Sequence, residues 1–456
     1  MMNAPEHLFR SGFGDRADDA LRPGERVAVI GSGIAGLSTA WLLADHARVT
    51  VFEAGAEAGG HTHTVDVTLG GVTHPVDTGF LVFNRRTYPN LCALFATLGV
   101  EAVETEMSFG VSLAEPGIEW AGTDLASVFA QPRNLVRPAF LGMLLDIMRF
   151  NRDTTRLARD GQLPNLSLGD FLVLEDYSDA FRDWYLLPMA AAIWSCPTRT
   201  MLDYPLATFV RFCHNHGLLQ ILDRPQWLTV KNGGRSYVRR MLQKLDDLRL
   251  NSPVTAISRD ETGVWVSSPQ GTERFDRIVF ACHSDQALAI LGPQASVEER
   301  RILSAVRYQD NVALLHTDAS LLPARRKVWS AWNYLAGKGA PDARPVSVSY
   351  LINRLQPLPF ETPVVVSLNP FREPAPERLI KRITYAHPVF DRGAIDAQNR
   401  LPRIQGRNRS WFAGAWTGYG FHEDGLRSAI AVVESMGVTV PWRDAVAGAV
   451  EAGRTW

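Results

Sequence analysis

Arg26-Val-Ala-Val-Ile-Gly-Ser-Gly-Ile-Ala-Gly-Leu37, followed by Arg48-Val-Thr-Val-Phe-Glu53, reads as strand, glycine turn, helix, strand and terminal acid. Val27 to Ile30 is a short β-branched run suited to a buried parallel strand, and Leu37 to Ala47 is rich in helix formers. Gly31, Gly33 and Gly36 give the G-x-G-x-x-G spacing. One glycine makes the tight turn, one lets the backbone approach a pyrophosphate, and one allows close helix-to-strand packing. The pattern predicts a dinucleotide whose phosphates rest on the free amides of a helix opening at Ile34 and Ala35. Glu53 lies roughly 20 residues past the first glycine, where an acid accepts hydrogen bonds from a ribose.

Gly59 and Gly60 follow Glu53 by a spacing that nicotinamide sites do not require, which points to flavin. With these residues the chain resembles the large flavin family of monoamine and polyamine oxidases, phytoene-type desaturases, protoporphyrinogen oxidase and flavin-dependent fatty-acid double-bond isomerases. The resemblance implies an α/β, amine-oxidase-like fold: a Rossmann-like, three-layer ββα FAD-binding domain with an inserted α+β substrate domain. The family usually has an arginine after the two glycines; here His61 stands there, and the next arginine is Arg85. His61 is therefore expected beside the FAD phosphates without a guanidinium. The resemblance also brings Thr78 and Gly79 close to the cofactor and sets the backbone of Val254 against the adenine. It matches Gly414 to the "F-A-G" strand, and Asp424, Gly425, Leu426 and Ser428 to the helix start facing the isoalloxazine and ribityl chain. Asp424 has a second reading, as the cap of a helix starting at Gly425. The closing segment holds no cysteine, so the FAD is expected to be non-covalent.

The expected cofactor domain is discontinuous: 24–87, 225–290 and 400–440, with a substrate domain from 88–224 and 291–399 and an arm at 1–23. Thr62 to Val67 and Val72 to Val76 around Gly70-Gly71 read as a hairpin. From Tyr88 to about Arg224 the pattern is mostly helical, with Leu91–98, Pro138–157, Leu168–174 and Ala180–193 as helices. Gly233-Gly234 with residues 235–245 reads as a turn and helix. Asn251 to Ile257 reads as a returning strand, and Phe275 to Ala281 as a buried one. Val312 to Leu315, Ser347 to Ile352 and Val364 to Leu368 read as strands of a second sheet.

Composition narrows the classes. With 456 residues, 46% hydrophobic and 21% charged, the chain suits two folded domains, and a net charge of −1 gives no field to gather nucleic acid. Cys92, Cys196, Cys213 and Cys282 form no C-x-x-C pair, and no secretory signal is visible, so a reducing, cytoplasmic setting is expected. No window is long enough to span a membrane. Residues 139–150 form an apolar helical block flanked by Arg133, Arg137, Arg149, Arg152, Arg156 and Arg159. Within 133–159, this reads either as peripheral contact with an anionic inner membrane face or as a domain helix with solvated arginines.

Hydride removal needs a C–H bond held over the flavin and water kept out, so few catalytic side chains are expected. The candidates are His283 at a strand end, and Tyr419, His422 and Glu423 in the closing turn, with His422 or Glu423 as proton carrier. His61 with His63, and His214 with His216, have same-face spacing on a strand but lack a completing carboxylate or cysteine set, so no metal is expected. Phe181, Trp184, Tyr185, Trp194, Tyr204, Phe209, Phe212 and Trp227, with Leu186, Leu187 and Met189, read as an apolar tunnel or as core. Amine oxidases of the resembled family carry a lysine near the flavin and an aromatic pair, for which Trp416 and Tyr419 are the only candidates, so an amine is not favoured. The expected function is a flavin oxidoreductase that desaturates, or isomerises a double bond in, a fatty acyl chain of a membrane lipid. Two alternatives stay open: an amine oxidase releasing hydrogen peroxide, and a non-catalytic FAD-binding accessory protein of a lipid-modifying system.

Overall fold

The computed structural model describes residues 20–194, 201–220, 224–339 and 344–451, the side chains of Trp194 and residues 449–451 excepted. Cys196 and most of the expected N-terminal arm lie outside the described residues. Five parallel strands form the first sheet, in the order Asp247–Arg249, Arg48–Phe52, Arg26–Ile30, Arg277–Phe280 and Ser410–Phe412. Side chains on the central strand alternate between the two faces, as the pleat requires. Val27 and Val29 pack with Leu37, Leu42 and Val432 of the helices Ile34–Leu43 and His422–Ser435. Ala28 and Ile30 pack with Ile257, Val264, Val266 and Phe275 of a three-stranded antiparallel sheet. Helices, parallel sheet and antiparallel sheet are the three layers of the ββα arrangement.

Two expected strands are placed differently. Asn251 to Ile257 does not return to the parallel sheet: the pairing strand is Asp247–Arg249, and Ala256–Arg259 belongs to the antiparallel sheet. Between them, the amides of Asn251 and Ser252 donate to the carbonyls of Gly55 and Glu53, so their hydrogen bonds are spent on a turn. Phe275 to Ala281 is two strands, Gly271–Phe275 and Arg277–Phe280. The chain changes sheets at Asp276, whose carboxylate accepts from the Arg26 amide at 2.8 Å.

The segment expected to be mostly helical also contains strands. Phe109–Leu113 and Ile118–Ala121 form one edge of a seven-stranded sheet that continues through Trp332–Ala336, Val346–Leu351, Val365–Leu368, Arg307–His316 and Leu379–Val389. Ala102–Thr105 pairs with Trp227–Val230. The helix expected from Ala180 to Ile193 is interrupted by a π turn at Arg182–Leu186. Pro188 has no N–H to give the Trp184 carbonyl, which accepts from Trp120 Nε1 at 3.3 Å instead. Pro138–Arg159 is one 22-residue helix. Its buried Phe150 meets Phe171, Tyr177, Phe181 and Phe209 at ring distances of 5.3 to 6.5 Å. The closing helix starts at His422, one turn earlier than Gly425.

Candidate functional site

The glycine turn after the first strand is held from three sides. Gly31 has φ +101°, and a Cβ there would lie 2.9 Å from the Ala281 carbonyl oxygen. A Cβ on Gly36 would come within 1.9 Å of the Gly31 oxygen. Gly33 differs: a Cβ there meets nothing within 4 Å, because it projects into a cavity of about 1760 Å³. Gly33, Ile34 and Ala35 line that cavity, and the helix they open has neither a side-chain cap nor an acid in its first turn. A buried helix start with free amides and open space before it is suited to a phosphate.

Glu53 fastens this turn. Its Oε2 accepts from the Ser32 amide at 2.9 Å and from Ser32 Oγ at 2.5 Å, and its Oε1 accepts from the Gly55 amide. Glu53 also lines the cavity, and a carboxylate so bonded keeps lone pairs for a ribose. Gly59 donates to the Ser32 carbonyl at 3.0 Å, and Gly60, at φ +56°, leaves only 3.0 Å between a hypothetical Cβ and Gly33 Cα. The two glycine turns are thus stacked. Val254 lines the same cavity, two residues ahead of the strand Ala256–Arg259.

Farther along, Thr78 Oγ1 is a hub, 2.7 Å from His63 Nδ1 and 2.9 Å from the Tyr385 hydroxyl. Gly79 allows close approach to His61, whose carbonyl accepts from the Phe80 amide. His61 and His63 lie ahead of the strand Thr64–Leu69. The His61 ring stacks on Tyr385 at 5.1 Å and stands 5.4 Å from His387 and 6.2 Å from His283. His283 in turn stacks on Tyr308 at 4.3 Å. Burial, then the neighbouring imidazoles, pulls His61 down to about 3, and burial pulls His387 to about 4. The wall is neutral. His387 Nδ1 accepts from Asn311 Nδ2 at 2.8 Å, and Asn311 Oδ1 accepts from Asn369, so the His387 proton sits on Nε2. Among the described residues, no three His, Cys, Asp or Glu side chains are grouped to hold a metal.

The same cavity is also lined by the apolar side chains of Tyr185, Met189, Phe212, Trp227, Phe129, Ile147 and Trp332. Among the described residues its only carboxylates are Glu53 and Glu106, its only guanidinium is Arg224, and no lysine lines it. Glu106 is already paired with Arg354 at 2.9 Å.

A family model described as flavin containing amine oxidoreductase matches residues 34–329. The chain belongs to that family. FAD is its cofactor, and the open Gly33 cradle, the uncapped helix and Glu53 fit that group. The fold is shared with solved structures of low identity. A protein assigned as a protoporphyrinogen oxidase from Exiguobacterium sp. 255-15 has a TM-score of 0.64 at 18% identity, covering 90% of this chain and 98% of that one. A CLA-producing fatty acid isomerase from P. acnes has a TM-score of 0.64 at 16% identity, covering 91% and 99%. A putrescine oxidase variant with redesigned cofactor binding has a TM-score of 0.64 at 16% identity, covering 91% and 100%. No curated protein matches.

Several residues expected to touch FAD support the flavin site from behind. Asp424, Gly425, Leu426 and Ser428 are buried and do not line the cavity. Asp424 accepts from the Phe421 amide at 3.0 Å, inside the first turn of the closing helix. Ser428 Oγ accepts from the Gly414 amide at 2.8 Å, and a Cβ on Gly425 would lie 2.7 Å from Ile34 Cγ2. The closing helix therefore locks against the first helix. The wall itself is formed by Gly414, Ala415, Trp416 and residues 419–422.

The proton-carrier candidates also separate. Glu423 does not reach the cavity: it accepts from the Asn90 and Leu91 amides at 3.1 and 3.0 Å and from Asn90 Nδ2 at 2.8 Å, at the start of helix Pro89–Leu98. Burial still raises it to about 7. A helix start offers unpaired amides, which is why the acid is drawn there. His422 lines the cavity but is stacked on Phe80 at 3.7 Å, with Nε2 2.9 Å from Thr62 Oγ1, and burial lowers it to about 3. It is a fixed neutral ring. Tyr419 and His283 line the cavity as expected, the tyrosine raised by burial.

Of the aromatic tunnel candidates, Tyr185, Phe212 and Trp227, with Met189, line the cavity; Phe181, Trp184, Tyr204, Phe209, Leu186 and Leu187 do not. Sequence reasoning missed Tyr385, His387 and Tyr308. Ile383, Tyr385 and His387 sit at alternate positions of one strand, the single local signal that could have marked them.

Proposed function

We infer that this flavin oxidoreductase acts on C–C bonds of a long apolar substrate, desaturating, or isomerising a double bond in, the acyl chain of a membrane lipid. The observation carrying this reading is the cavity's largely apolar lining, with no lysine and no carboxylate lacking a partner among the described residues. An ammonium substrate would need a counter-charge that this lining does not provide. FAD supplies a hydride acceptor when bound. The chain's own side chains hold the acyl segment and exclude water, and His61, His387 and His422 present neutral rings to it. The His387 Nε2–H is the protonated ring position in this wall.

Anaerobic mixing of the holoprotein with dispersed phospholipid, followed by acyl-chain mass spectrometry, tests the reading. Desaturation bleaches the flavin and adds a double bond; isomerisation moves a double bond with no lasting bleaching. Unchanged chains would count against both. Peroxide release with an amine panel would establish the amine oxidase alternative instead.

A further inference from the structure

The long helix Pro138–Arg159 shows an unusual outer face. Leu141, Leu145, Met148, Arg152, Arg156 and Arg159 are all exposed, and their spacing places them in one stripe, apolar along its first half and basic along its second. At the apolar end, Val136 is 81% exposed and Leu125 is 78% exposed, while Leu145 is 63% exposed. From Leu125 to Leu145 the sequence carries Arg133 and Arg137 and no acid.

This patch is continuous with the cavity. Leu125 and Met148 are exposed on the outside and also line the cavity, together with Val128, Leu144 and Ile147, so the apolar patch is a rim of its opening. No helix among the described residues is long and apolar enough to cross a membrane. An apolar face with arginines beside it is the pattern suited to the interfacial plane of a bilayer.

We propose that Leu125, Val136, Leu141, Leu145 and Met148 dock this rim into the surface of an anionic bilayer, with Arg133 and Arg156 at the headgroups; Arg152 is already paired with Asp153 at 3.0 Å. An acyl chain then enters the cavity without crossing water. The inference rests on the acyl-lipid reading for its purpose, but its binding test is independent of turnover.

The full-length holoprotein is sedimented with vesicles of phosphatidylcholine alone and of phosphatidylcholine with phosphatidylglycerol. Binding is expected on the anionic vesicles, weakened by salt. The double variant Val136→Glu/Leu145→Glu, at positions outside the cavity lining, should reduce partitioning by at least ~10-fold, since each replaces an exposed apolar side chain that docking would bury with a charge. Its flavin content and melting temperature report that it is folded. Detergent-dispersed lipid should be turned over as by the unaltered chain. Failure to bind anionic vesicles overturns the proposal, as does binding that the double variant leaves unchanged. A dimer that the double variant converts to monomer, without vesicle binding, also overturns it and assigns the patch to a second copy of the chain. Vesicle binding that depends on the patch, with no acyl product in detergent, leaves docking standing and removes the acyl-lipid reading.

Discussion

Alanine at Gly33 and alanine at Gly36 should have opposite consequences, although the two glycines belong to one motif. At Gly33 the backbone has φ −68° and ψ −177°, which alanine adopts, and the added methyl meets no protein atom within 4 Å. The cofactor-free protein should be unchanged or more stable by ~0.4–1 kcal/mol, through the reduced freedom of the unfolded chain. The methyl, however, fills the space before the helix amides. Displacing a phosphate from two of them forfeits ~1.5–3 kcal/mol each, or about 10²- to 10⁴-fold in Kd. At Gly36 the methyl would lie 1.9 Å from the Gly31 oxygen, a clash between backbone elements that cannot rotate away. Gly36→Ala should lower stability by at least ~1–3 kcal/mol, despite alanine's better helix propensity. Calorimetric titration of the stripped proteins with FAD, together with their thermal unfolding, separates the two effects. Unchanged FAD affinity in a folded Gly33→Ala protein would refute the placement of the phosphates.

Acidification from pH 7 to 5 should lower the melting temperature. His61 and His422 are pulled to about 3, and His216, His316 and His387 to about 4, from 6.5. Because their folded pKa values are lowered, their stabilisation is present above about 6.5 and is lost as pH falls, by ~2 kcal/mol each at pH 5. Asp77 and Asp424, raised to about 6, and Glu423, raised to about 7, oppose this: their contribution is full below the unfolded carboxylate values and is lost as pH rises through the folded ones. The histidines outweigh them, and a flat or rising melting temperature between pH 7 and 5 would contradict the neutral wall. Glu423→Gln should lower stability by about 1 kcal/mol and leave kcat within about twofold, because the acid only caps a helix; a fall of about 10²-fold would restore it as a proton carrier. Leu144→Trp narrows the cavity at its rim, so turnover of long acyl chains should fall by ~10-fold or more relative to short ones, with flavin content unchanged. Equal loss for all chain lengths would place the substrate elsewhere.

Local sequence determined the cofactor end because its requirements are local. Gly31, Gly33 and Gly36 are set by one turn, Glu53 by the end of the adjacent strand, and the alternation of Val27 to Ile30 by the pleat, so spacing alone exposes them. The split at Asp276 and the turn at 251–255 depended on hydrogen bonds to Arg26, Glu53 and Gly55, more than a hundred residues away in sequence, and no window contains both partners. The same limit applied to chemistry. Glu423 and His422 are neighbours at the start of the closing helix, but only folding shows that the acid points to the amides of Asn90 and Leu91 while the ring stays in the wall. His61, His283 and His387 come from three separate segments, and their neutrality is a property of shared burial. Burial and charge pairing are sums over neighbours in space, so the tertiary structure alone could decide which side chains line the cavity.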